Sequence, residues 1–81
     1  MSERTLWIGI KTEAKQKAES QRIRLEGLIK SLRSALVLVD VSEVDHDLVL
    51  SLATDVHVAK TDYLAEYEAY RKACAELGEH P

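Results

Sequence analysis

The chain is poor in the residues that build crosslinks, tight loops and catalytic clefts. Its 81 residues include one cysteine, one proline, three glycines and no phenylalanine. The lone thiol, Cys74, excludes an internal disulfide and fits a reducing compartment. The single proline is the final residue, Pro81, so nothing before it lacks an amide donor. Gly9, Gly27 and Gly78 are scattered, and none belongs to a phosphate-binding loop. No Cys/His cluster and no nucleophile motif is present, which argues against an enzyme, a cofactor or a bound metal. No apolar run reaches bilayer length, and Met1-Ser-Glu-Arg-Thr5 does not lead into a cleavable apolar segment. These absences predict a single domain over residues 1–81 with a cytoplasmic address (the host cytoplasm or the virion, for a phage gene).

What the sequence does have is two heptad tracts that mirror each other across a short turn. The first reads Trp7, Ala14, Ala18, Gln21, Leu25, Leu28, Leu32, Ala35, and the second Val49, Leu52, Val56, Ala59, Tyr63, Glu66, Tyr70, Ala73, Leu77. Folding the chain back about Ser42 sets Leu32 against Leu52, Leu25 against the small Ala59, Ala14 against the large Tyr70, and Trp7 against Leu77. Large side chains opposite small ones let an antiparallel helix pair reach interior packing density. The expected fold is therefore all-α: an antiparallel two-helix hairpin that dimerises into a four-helix bundle. Helix 1 should cover about 3–39, or 12–39 if Gly9 interrupts it and Thr12 caps a second start. The turn should fall at about 40–43. Helix 2 should run over about 43–78, capped by Ser42 with Asp45 three residues on, and closed by Gly78. A competing assignment makes the β-branched segments 5–10 and 35–41 parallel strands.

A net charge of −3 hides an asymmetry. Residues 1–39 hold eight bases against four acids, a net +4, and residues 40–81 hold ten acids against three bases, a net −7. Opposed arms attract, and Arg24 and Asp62 fall within reach of one another. The basic arm also supports an alternative function, RNA or DNA binding by a hairpin dimer through Lys11, Lys15, Arg22, Lys30 and Arg33. Glu13, Glu19 and Glu26 interleave these bases and lower the potential they present.

The inward seam does not absorb all the apolar residues. Ile29, Leu36, Val37, Leu38, Leu48, Leu50, Val58 and Leu64 fall outside it and gather toward the turn. A helix apolar on every side is buried on every side, which two helices alone cannot achieve. The surplus therefore reads as an interface, with a second copy or with a larger assembly. Other features carry less. Glu43 and His46 have the Glu-x-x-His spacing of bundle metal sites but lack facing glutamates at that level. Tyr63, Tyr67 and Tyr70 form a stripe expected to fill space opposite alanines, and Cys74 is expected to be a partly buried small hydrophobe. The function expected is that of a small non-enzymatic interaction or assembly module, of the size and style of a phage or mobile-element accessory or structural protein.

Overall fold

The computed structural model describes residues 2–37 and 40–81. Helix α1 covers Glu3–Val37 and helix α2 covers His46–Glu76, with a 3₁₀ turn at Val41–Glu43 between them. No strand occurs among the described residues: 5–10 and 35–37 are helical. The chain is all-helical, with the two helices in contact as a hairpin. No helix among the described residues is long and apolar enough to cross a membrane.

Capping chemistry sets the helix ends. The Thr5 amide donates to Ser2 Oγ at 3.2 Å, so Ser2 caps α1. Gly9 does not interrupt the helix, and Thr12 lies within it, donating its hydroxyl to the Ile8 carbonyl. The start of α2 differs from the sequence expectation: its N-cap is Asp45, which accepts from the Leu48 amide at 3.0 Å. Ser42 sits in the 3₁₀ turn, which Asp40 caps. An aspartate is as good a cap as a serine, and the 3₁₀ turn defers helix entry by three residues. Glu43 thus belongs to the turn and His46 to α2, so they do not share a helical face. At the far end Gly78 adopts φ 71°, the Gly78 amide donates to Ala75 O, and the Glu79 amide donates to Cys74 O. This pair of bonds is a Schellman closure.

Every seam position expected from the heptads is buried or half-buried. The expected register also holds. Arg24 meets Asp62 at 3.3 Å, and Lys11 pairs with Glu79 near the open end. The hairpin is a thin rod with Cα extents of 61 × 16 × 15 Å. Two straight helices lying flat would give a Cα ribbon only about 5 Å thick. The near-square section means the two helices do not lie flat and parallel, as expected for a pair packed at an angle.

The core is made of small residues. Ala14, Ala18, Ala59, Ala73 and Cys74 are its buried members, and Cys74 is the largest side chain fully buried. Its burial is complete rather than partial, deeper than the sequence reading expected.

Two substitutions test the local physics. Asp45→Ala should cost about 1 kcal/mol in urea unfolding while Ser42→Ala stays near wild type. A Cβ added at Gly27 meets nothing within 4 Å, so Gly27→Ala should raise stability by up to about 1 kcal/mol in the same assay.

Candidate interaction surface

Each helix has two flanks beside its seam, and the surplus apolar residues divide between them. In a heptad helix, residues just after the seam lie on one side and those just before it on the other. A groove of about 170 Å³ identifies the first side, because it brings Lys15 and Arg22 of α1 together with Tyr63, Tyr67 and Tyr70 of α2. Seven-residue steps from Lys15 and Arg22 lead to Ile29 and Leu36. On α2 the same side carries Leu50, His57 and Leu64, seven residues apart, with Tyr67 beside them. We call this the tyrosine flank. The opposite side carries the Arg24–Asp62 pair and a groove in which Leu48 meets Ser31, Ser34 and Ala35. Val58 steps onto this ion-pair flank as well.

The eight expected interface residues therefore do not form one patch. Leu36, Leu50 and Leu64 on the tyrosine flank are each about half exposed, at 49%, 57% and 51%, and Ile29 beside them is half-buried. Leu48 and Val58 are exposed on the ion-pair flank, and Val37 is exposed at the end of α1, pointing away from both. Leu38 lies outside the described residues. Two contributors to the tyrosine flank were not among the expected interface residues: Ile8, and Tyr67, which the sequence reading assigned to filling space opposite alanines; both are exposed. Heptad position, rather than distance from the turn, would have identified them.

The three tyrosines stack along α2. Tyr63 and Tyr67 have ring centroids 5.9 Å apart at 26°, and Tyr67 and Tyr70 lie 6.1 Å apart at 47°. Hydrogen bonding with the Cys74 side chain, followed by desolvation, raises the Tyr70 hydroxyl above its ordinary value. Arg22 beside this ladder is held by two acids: it meets Glu19 at 2.5 Å and Glu26 at 2.7 Å. The hydrogen bond from Arg22 keeps Glu19 below the ordinary carboxylate value.

Among the five bases of the nucleic-acid alternative, Lys11 and Arg22 are thus already paired with carboxylates. Lys15, Lys30 and Arg33 are exposed but spread along α1. Among the described residues no group of three His, Cys, Asp or Glu could hold a metal. No family model, curated protein or solved structure matches this chain.

The ion pairs give a pH dependence. Lys11 depresses Glu79, and Arg22 depresses Glu19, relative to the ordinary value of 4.5. A carboxylate depressed on folding stabilises the fold above its unfolded pKa, and that contribution is lost as pH falls through the folded value. The urea midpoint should therefore decline below about pH 4.5. In Glu79→Gln the decline between pH 5 and pH 3 should be shallower than in wild type.

Proposed function

We propose that this protein is a non-enzymatic association module: a hairpin that completes its core by homodimerising into a four-helix bundle or by docking into a larger protein assembly. The observation that carries this reading is the mismatch between core and surface. Among the described residues the buried ones are four alanines and a cysteine, whereas Leu36, Leu50 and Leu64 stand about half exposed. Fully burying a leucine gains about 1.5–3 kcal/mol, so much of the chain's apolar driving force goes unused in the lone hairpin. A single core in so small a chain rarely supplies more than roughly 3–5 kcal/mol. Association recovers what the hairpin leaves exposed. A cytoplasmic accessory or structural role in a phage or mobile element accords with this reading. Nucleic-acid binding through the basic helix has less support, because Lys11 and Arg22 already hold carboxylate partners.

Light scattering coupled to size exclusion tests the proposal. Wild type should elute as a discrete oligomer with a dimer mass. Leu36→Asp and Leu50→Asp should abolish association and reduce helicity together, while His46→Ala should match wild type. A soluble, fully helical Leu50→Asp of unchanged dimer mass would count heavily against the reading.

A further inference from the structure

Resting on that association reading, we infer that the occupant of the tyrosine flank is a second copy of this chain, related by a two-fold axis along the rod so that both turns lie at the same end.

The choice of flank follows from chemistry. The tyrosine flank carries Leu36, Leu50, Leu64 and Tyr67, all exposed, with Ile29 half-buried beside them. The leucines supply apolar area to remove from water, and Tyr67, with the tyrosine ladder beside it, supplies the aromatic side chain that interface anchors favour. The ion-pair flank is occupied by its own polar contacts: Arg24 with Asp62, and a groove lined by Gln16, Lys17, Ser20, Gln21 and Glu66. Covering it would desolvate the half-buried Gln21–Glu66 layer together with the Arg24–Asp62 pair. The tyrosine flank exposes more apolar surface and holds its own charges, Lys15 and Arg22 with Glu19 and Glu26, farther from the turn than Leu36 and Leu50.

Area is sufficient. A rod 61 Å long and about 15 Å wide presents a flank on the order of 900 Å², against the ≈ 800 Å² each partner contributes to a standard stable interface.

The orientation follows from charge and apolar level. A two-fold axis along the rod packs α1 of one copy against α2 of the other, setting the net +4 arm against the net −7 arm. An axis across the rod would instead pack α1 on α1 and α2 on α2, like on like. The same choice decides the apolar level. With the turns together, Leu36 meets the partner's Leu50 and Ile29 lies level with the partner's His57, while Leu64 lies level with the partner's Arg22. With the turns apart, Leu36 falls near the partner's Ile8 and the charged open end. The hairpin register, in which Ala35 shares a groove with Leu48 and Arg22 shares one with Tyr63, sets Leu36 level with Leu50 across the interface. It also brings Lys60 of one copy level with Glu26 of the other, an opposite-charge pair at the edge of the apolar contact.

Cysteine crosslinking reads flank and orientation together, and Cys74, fully buried, stays silent. Tagged Leu36→Cys is refolded with untagged Leu50→Cys and treated with a short bis-maleimide, and covalent tagged–untagged pairs are scored by mass. The expected result is crosslinking of most of the tagged–untagged dimers that statistical mixing forms, a yield at least tenfold above that of Leu36→Cys mixed with Ile8→Cys. A higher yield from the Ile8→Cys mixture would overturn the orientation. A wild-type dimer that crosslinks in neither mixture, but does so through Val58→Cys, would overturn the flank while leaving the association reading standing. A wild type that stays monomeric and fully helical at 100 µM would overturn the second copy as occupant and leave docking into a larger assembly as the remaining form of the association reading. As a check independent of covalent chemistry, Tyr67→Asp should lower the dimer fraction far more than Val58→Asp at equal concentration.

Discussion

The seam of small residues between the helices governs the rest of the structure. Ala14, Ala18, Ala59 and Ala73 are buried, and an alanine at the contact lets two backbones approach closely. Close approach gives dense packing but removes little apolar area from water, since a methyl group contributes far less than a leucine side chain. The larger partners in the mirror pattern, Tyr63, Tyr70, Leu25 and Leu28, are consequently half-buried rather than enclosed. A two-helix rod has no third wall to cover them. Apolar surface is left on the flanks rather than enclosed in the seam, and the association proposal rests on that distribution.

Electrostatics reinforces the hairpin without making it self-sufficient. The basic and acidic arms attract, yet the contacts this produces lie at the surface: Arg24 to Asp62 across the helices and Lys11 to Glu79 near the open end. Exposed pairs add little, because water screens them and two long side chains must be ordered. Their larger effect is on direction. They favour the antiparallel register over slipped alternatives, and they occupy bases that would otherwise present an unshielded positive face.

Much of the architecture was legible because a seven-residue period is a strong signal. It specified which residues face inward, which helix opposes which, and even the Arg24–Asp62 contact. Gly78 marked the end of α2 because a helix closing in a left-handed residue favours glycine. The start of α2 was less legible, since Ser42 and Asp45 are both competent caps and the choice depends on the 3₁₀ turn at Val41–Glu43. The candidate surface was half legible. Residue type identified Leu36, Leu50 and Leu64, but grouping by nearness to the turn joined them to Leu48 and Val58, which the helical rotation places on the other side. Cys74 was underestimated for the same reason. Its position beside the seam, next to Tyr70, buries it completely.

The two flanks differ because the seam itself is not uniform. Gln21 and Glu66 interrupt it with a half-buried polar layer, and Lys17, whose charge is favoured by Glu13 and then by Glu66, borders that layer on the ion-pair side. A polar group at an inward position costs stability but penalises any register that would leave it unpaired. Here the polar layer opens toward water on one flank only, through the groove that Gln16, Lys17 and Ser20 share with it. Covering that flank would take the polar seam residues out of water. The other flank, backed by stacked tyrosines, holds its polar groups, Lys15 and Arg22 with Glu19, on the helix surface rather than in the seam. The polar layer that specifies how the hairpin closes thus also leaves one side free to be covered by another protein surface.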